Sequence, residues 1–377
     1  MKICIFPNDP IKAYFEKGEI KNRYYNPNNL FDEVHFISLT EHDIEENKVQ
    51  KLVGNANMKI HSVGKISLMN RNKEIKKIFE IIKEIKPDAL RAYNPLLEGW
   101  LAAKCAEKFN IPLFISLHTQ YDHNRQLAKK NNFKKYLAMK YTEKFIEPFV
   151  LQTANKITII YKIIQPYVIN HSSKNPEILH NKVDCSRFAN GIPIDTISQP
   201  LILSVGNLIS VKNHQLLIKA MKGIDGKLLI IGNGELYSKL NELIIEYGVQ
   251  NKVSIKKSVP HEKIQNYYKS AKIFALAYNT EVESLPMPVM EAMATGLPVV
   301  IPFPKEGYSE GLEETAIFSK NNVLAFTNNI KKLLESKDLM EKYSKKSLEK
   351  AKEFDIDEIE HKESEIYLKL IREIKNE

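Results

Sequence analysis

Short apolar runs alternate with longer segments of helical period, and the alternation runs twice along the chain. Ile3–Phe6, Val34–Leu39 and Lys59–Val63 read as strands. In Asn72–Ile85, Ile75, Ile78, Phe79, Ile82 and Ile85 recur at helical spacing, and Pro87 ends the helix. Ala89–Tyr93 is a strand, Leu96–Phe109 a helix and Leu113–Leu117 a strand. Lys156–Ile160 and Glu177–Leu179 close the first series. Such alternation demands a parallel sheet with helices on both faces.

Residues 191–200, G-I-P-I-D-T-I-S-Q-P, hold two prolines and no periodicity, and read as a linker. The alternation then restarts with strands at Leu201–Val205, Lys227–Ile231, Val253–Ile255 and Ile273–Ala277. Helices at His214–Met221, Leu236–Tyr247 and Lys263–Ser270 lie between them. A chain of 377 residues is too long for one ordinary core. The expected domains are divided after residue 190, one on each side of the boundary. Ligands of such folds bind beyond the carboxyl ends of the strands, which places the expected site in a cleft between the domains.

Composition excludes several classes. No run of about 18 apolar residues exists to cross a membrane, and M-K-I-C-I-F-P reads as a buried strand and not a signal peptide. The expected location is the cytoplasm. Cys4, Cys105 and Cys185 are odd in number and far apart, which opposes a disulfide framework or a zinc site. Residues 1–190 carry 30 Lys+Arg and 20 Asp+Glu, net +10, whereas residues 191–377 carry 25 and 26, net −1. A field of that kind suits an anionic partner or simply a lysine-rich surface. No nucleic-acid reader motif accompanies it, so nucleic acid is not expected.

Residues 283–291, E-S-L-P-M-P-V-M-E, place two carboxylates around an apolar helix start near Pro288. Proline suits the first helical turn, where its missing N–H costs nothing. Free amides there, at residues such as Met287 and Val289, point outward as an anion site. Glu283 and Glu291 can accept hydrogen bonds from vicinal hydroxyls. A nucleoside-diphosphate sugar would present phosphates to the amides and hydroxyls to the acids. A single acid here would also merely complement the helix dipole.

The stretch E-S-L-P-M-P-V-M-E-A-M-A-T-G-L-P-V-V resembles the signature of retaining glycosyltransferases with the two-domain GT-B fold, the family of glycosyltransferases group 1. Residues 203–214, L-S-V-G-N-L-I-S-V-K-N-H, resemble its phosphate loop, and 229–236, L-I-I-G-N-G-E-L, its glycine-rich strand end. Residues 178–188 resemble the segment before its linker, and 115–121, I-S-L-H-T-Q-Y, the strand end bearing its active-site histidine. The resemblance implies two Rossmann-like αβα domains facing each other, with the final helix, at about 358–377, crossing back to join residues 1–190 and leaving 191–357 as the donor domain. It further implies that Glu283 holds donor-sugar hydroxyls, Glu291 the ribose, Lys212 the diphosphate and His118 the sugar. Gly206, Asn207, Gly232, Gly234, Met287, Pro288 and Val289 would complete the nucleotide contacts. The donor would be a UDP- or GDP-sugar with no metal or other cofactor, and the acceptor a glycan or lipid-linked glycan of cell-surface polysaccharide or glycolipid assembly.

Four positions depart from the family pattern. Asn207 stands where the family carries arginine, and Ser284-Leu285-Pro286 replace Gly-Phe-Gly. Pro7-Asn8-Asp9 stand in place of a glycine loop, and Lys257 falls near a family glycine. A nucleotide-sugar-binding protein with little turnover, or a GT-B nucleotide-sugar epimerase, is the alternative. On the acceptor side, Lys17, Arg23 and Arg91 are candidates for an acceptor phosphate, and Tyr24, Tyr25 and Tyr93 for sugar faces. Residues 125–146 hold seven basic residues and one acid among Leu127, Phe133, Tyr136, Leu137 and Tyr141. They read as a basic amphipathic segment for an anionic membrane surface, or as a structural helix with a solvated face. Asp355 and Asp357 form an Asp-x-Asp in a charged late helix and read as solvated charge.

Overall fold

The structure is a computed structural model and describes residues 1–194 and 200–375, the side chain of Lys375 excepted. The chain divides into two compact units, Met1–His180 with Glu360–Glu377, and Asn181–Ile359. The division comes earlier than the expected boundary after residue 190, because the intervening residues bond to the second unit. Val183 N–H donates to the Phe354 carbonyl (2.9 Å), and Ile192 N–H to Asn266 Oδ1 (2.9 Å). The rest of the linker segment, 195–199, lies outside the described residues.

The first unit is a seven-stranded parallel sheet. Its strands are β1 Lys2–Phe6, β2 Glu33–Ser38, β3 Asn57–Ser62, β4 Ala89–Ala92, β5 Leu113–Leu117, β6 Lys156–Ile159 and β7 Glu177–Ile178, in the order β3-β2-β1-β4-β5-β6-β7. The helices are α1 Ile11–Glu16, α2 Arg71–Ile85, α3 Leu97–Phe109, α4 Tyr121–Asn131, α5 Phe133–Phe145, α6 Glu147–Thr153 and α7 Gln165–Ser172. Central strands covered on both faces are apolar throughout, as in β1, where Ile3, Cys4, Ile5 and Phe6 are all buried. Ile75, Ile78, Ile82 and Ile85 put the apolar stripe of α2 inward, and Lys86 closes the helix in the left-handed region. The three cysteines are free thiols.

The second unit is a six-stranded parallel sheet of β8 Leu201–Val205, β9 Lys227–Ile231, β10 Val253–Lys256, β11 Ile273–Ala275, β12 Val299–Pro302 and β13 Ile317–Ser319. Its order is β10-β9-β8-β11-β12-β13. The helices are α8 Cys185–Ala189, α9 His214–Ala220, α10 Tyr237–Glu246, α11 Ile264–Ser270, α12 Met287–Thr295, α13 Val323–Glu335 and α14 Lys337–Ala351. In both sheets the chain starts in the middle and reverses its winding direction there, so loops diverge at the carboxyl ends of the central strands.

The last helix, α15 Ile356–Lys375, contributes its residues from Glu360 onward to the first unit. Phe31 and Phe114 pack edge-on against Tyr367, and Glu360 and Glu363 are buried there. Glu363 pairs with Arg91 at 3.1 Å, and Glu360 with Arg23 at 3.3 Å. Asp355 and Asp357 sit at its start, where the Asp357 N–H bonds Asp355 Oδ1 (3.0 Å), so the Asp-x-Asp is part of a helix cap.

These contacts correct the acceptor-side candidates. Arg91 is 2% exposed and lies over the Phe114 ring at 3.5 Å, because it sits within β4 and not in the loop beyond it. Tyr25 and Tyr93 are buried and pack edge-on against each other, and Tyr25 also against Phe36, so neither offers an open face to a sugar. Lys17 remains exposed beside Asp9. The basic segment is also not one helix. Asn132 separates α4 from α5, and its side chain caps α5 by accepting from the Lys135 N–H at 3.0 Å. Arg125 turns inward to a buried Glu147, whose carboxylate also accepts from Thr142 Oγ1.

Candidate active site

In the second unit, the loops after β8 and β9 lock together through main chain. Gly206 N–H donates to the Ile231 carbonyl (3.0 Å) and Leu208 N–H to the Asn233 carbonyl (2.8 Å). A Cβ on Gly232 would lie 1.9 Å from the Gly206 carbonyl oxygen, and one on Gly234 would lie 2.6 Å from that of Leu208. Both positions therefore require glycine for loop-on-loop contact. Their lack of a side chain is what lets the two loops touch.

Lys212 ends a short turn at Ser210–Lys212, ahead of Asn213 in the left-handed region. Its stem crosses Gly206, where an added Cβ would stand 3.4 Å from Cγ and Cδ. The ammonium then meets Glu283 Oε2 at 2.5 Å. Lys212 is 8% exposed and Glu283 is half-buried, so the pair is partly shielded from water. The Asn279 N–H donates to the Val211 carbonyl (2.8 Å), tying the two loops together. The structure thus unites Lys212 and Glu283, which lie far apart in sequence.

Glu291 lies one turn into α12, where Tyr268 Oη donates to its Oε2 at 2.7 Å. Tyr268 is fully buried on α11, beside Phe188 and Phe274, and burial next to Glu291 raises its pKa. The amide site at the start of α12 is smaller than expected. Val289 is buried and donates to the Pro286 carbonyl (2.9 Å), and Pro288 carries no N–H. Among the described residues, the Met287 N–H makes no such main-chain bond. Asn207 is exposed on its loop, as is Lys257, whose ammonium lies 4.1 Å from the Tyr237 ring centroid.

His118 follows β5 in the first unit, 5.5 Å from the Tyr93 ring. Burial, with Arg91 adding to it, pushes its pKa down to about 4. The imidazole is therefore neutral near pH 7, and among the described residues its buried Nε2 has no hydrogen-bond partner. It can accept or donate one hydrogen bond to a hydroxyl. Among the described residues, no group of three or more His, Cys, Asp or Glu is placed to hold a metal ion.

Tyr268 and Tyr278 went unnoticed in the sequence. Tyr278 Oη donates to the Ser284 carbonyl at 2.9 Å, next to Glu283. The one available signal was an aromatic residue with a hydroxyl in an otherwise apolar strand end or helix face, which buries only with a partner.

Residues 195–350 match the family described as glycosyl transferases group 1. An uncharacterized glycosyltransferase of Haemophilus influenzae is 27% identical over 271 residues, 70% of each chain. The N-acetylgalactosamine-N,N'-diacetylbacillosaminyl-diphospho-undecaprenol 4-alpha-N-acetylgalactosaminyltransferase of Campylobacter jejuni is 31% identical over 234 residues, 60% of this chain and 62% of that one. Among solved structures, HepE of Anabaena in complex with UDP superposes with TM-score 0.73 at 15% identity, covering 97% of this chain and 99% of its own. Sucrose-phosphate synthase of Thermosynechococcus elongatus does so with TM-score 0.73 at 15% identity, over 99% of both chains. Residues 195–350 thus carry a group 1 glycosyltransferase domain, and the two parallel-sheet units have the GT-B fold.

Proposed function

We propose that the protein is a retaining glycosyltransferase that moves a sugar from a nucleoside-diphosphate donor to a lipid-linked glycan. The Lys212–Glu283 pair beside Gly206 carries this reading. A diphosphate entering the loop offers Lys212 a second anion, which frees Glu283 to accept from the sugar hydroxyls. Glu291, held by Tyr268, is left for the ribose. Lys212 and main-chain amides meet the charge that grows on the leaving diphosphate, so no metal is needed. Such stabilisation supplies about 3 kcal/mol per good donor. The acceptor hydroxyl attacks on the face from which the diphosphate leaves, and His118 contacts the sugar.

Two observations support this choice of acceptor. The Campylobacter relative is named for a diphospho-undecaprenol acceptor. In the first unit, α5 exposes Phe133, Leu137, Tyr141 and Phe145 at four-residue intervals, with Lys134, Lys135, Lys140 and Lys144 also exposed. An apolar stripe among lysines suits the surface of an anionic bilayer. No helix among the described residues is long and apolar enough to cross a membrane. The contact would thus be peripheral, at the cytoplasmic face. Flotation with vesicles containing phosphatidylglycerol, compared with phosphatidylcholine alone, tests it, and Phe133→Ser with Phe145→Ser should abolish it. Equal flotation of the variant would remove α5 from the membrane contact.

Calorimetric titration of UDP and of GDP in excess EDTA tests the donor site. Tight binding of one, followed by transfer from its sugar to an undecaprenyl-diphosphate glycan, is the expected result. Binding without transfer favours the non-catalytic alternative, for which the uncharged, exposed Asn207 is the motive. Failure of both nucleotides to bind would overturn the proposal.

A further inference from the structure

The loop bearing Glu283 is anchored by contacts other than the one to Lys212. Ser284, 4% exposed, donates its hydroxyl to Glu310 Oε1 at 2.6 Å, while its carbonyl accepts from Tyr278. Leu285 is fully buried, and the Glu283 N–H bonds the Asn279 carbonyl at 3.2 Å. Glu310 comes from the loop between β12 and β13 and is itself 8% exposed. It stands at φ 54°, in the left-handed region. An L-residue there is strained and persists only where its surroundings over-determine it. Glycine would adopt that backbone freely, as the next residue, Gly311, does at φ 71°. A carboxylate is kept in its place, buried and aimed at a hydroxyl adjacent to Glu283.

We propose that Glu310 is a positioning residue for donor-sugar recognition, acting through the Ser284 hydroxyl to fix the main chain that carries Glu283. The inference rests on the glycosyl-transfer reading above. Lys212 holds the Glu283 side chain, and the Glu310–Ser284 bond holds the main chain next to it. The residues at which the family pattern is broken, Ser284 and Pro286, thereby acquire a role. Pro286 holds the extended conformation (φ −59°, ψ 144°) that leads into α12, and Ser284 supplies a bond that glycine could not make. Loss of the anchor should misplace the sugar-binding carboxylate while leaving the nucleotide end, held by Tyr268 and Glu291, intact.

The test uses the full chain with the nucleotide that the wild type binds. Glu310→Ala and Ser284→Ala should each lower kcat about tenfold, since small misplacements of reacting groups cost on that order or more. Affinity for the free nucleotide should stay within about twofold. The double variant should be no slower than either single one, as expected of residues acting in one chain of contacts. Glu310→Gln, whose amide oxygen can accept the same hydroxyl, should recover most of the rate. Multiplying losses in the double variant, parallel loss of kcat, nucleotide affinity and melting temperature, or an unchanged kcat would each overturn the proposal. Should the wild type bind a nucleotide sugar without transferring it, the glycosyl-transfer reading falls. The positioning role is then read from the ratio of nucleotide-sugar to nucleotide affinity, which Glu310→Ala must lower and Glu310→Gln restore.

Discussion

Arg91 and Lys212 are both buried cations in parallel-sheet units, and each pairs with a glutamate distant in sequence. Arg91 meets Glu363 at 3.1 Å, and Lys212 meets Glu283 at 2.5 Å. Their surroundings separate them. Arg91 sits within a central strand, walled by Phe114, Tyr93 and Tyr367, and its partner lies on the final helix. Lys212 sits beyond a strand, its stem over a glycine and its partner half-open to solvent. A cation closed in on all sides holds structure together, whereas one at a strand end can exchange its partner for a ligand.

The sharpest way to break this contrast is to remove each cation. Arg91→Ala leaves Glu363 buried and unpaired, a loss of about 3–5 kcal/mol. The melting temperature should fall by about 10 °C, while the folded fraction keeps its kcat. Arg91→Met with Glu363→Leu should recover most of the stability. Lys212→Ala should do the reverse, lowering kcat/KM by about 10²–10³-fold with little change in melting temperature. Calorimetry and steady-state kinetics on the same samples decide between them. If Arg91→Ala lost turnover and kept its stability, the contrast would be void.

Each unit also holds a histidine whose pKa is pushed down to about 4, His118 in the first and His214 in the second. His214 is 2% exposed, and burial is the main cause, with Lys212 adding to it. The folded form binds its proton less readily than the unfolded chain does. Its contribution is therefore complete above about pH 6.5 and is lost as pH falls toward 4, up to about 3 kcal/mol. His214→Gln should flatten the fall in melting temperature across that window. An unchanged slope would show that His214 is not kept neutral.

The smallest expected effect sharpens the split within the carboxylate pair. Tyr268→Phe removes the hydroxyl that orients Glu291, worth about 1.5 kcal/mol for a bond to a charged group. Donor KM should rise about tenfold with kcat nearly unchanged. Glu283→Gln should instead lower kcat and leave nucleotide affinity largely intact. If both variants moved KM and kcat together, the two acids would not serve different ends of the donor.

Much of the fold was legible because strand-like runs and helical stripes are local patterns. Leu113–Leu117, Leu201–Val205 and Lys227–Ile231 stand where their apolar runs put them. The break at Asn132 was not legible, since nothing local distinguishes it from the lysine-rich helix around it. The close approach of Lys212 and Glu283 was expected only through family resemblance. Tyr268 lay outside any motif, and its hydroxyl acquires meaning only from Glu291 on another helix.

Local period and composition, carried by neighbours in the chain, determined two αβ units and marked 283–291 as their most distinctive loop. Tertiary structure decided which polar groups are closed in and which remain open. It buried Arg91 against the last helix and Val289 in the core, and it set Tyr268 on Glu291 and Glu310 on Ser284. Burial and pairing depend on residues tens to hundreds of positions away, and a residue's accessibility is settled only when those segments meet.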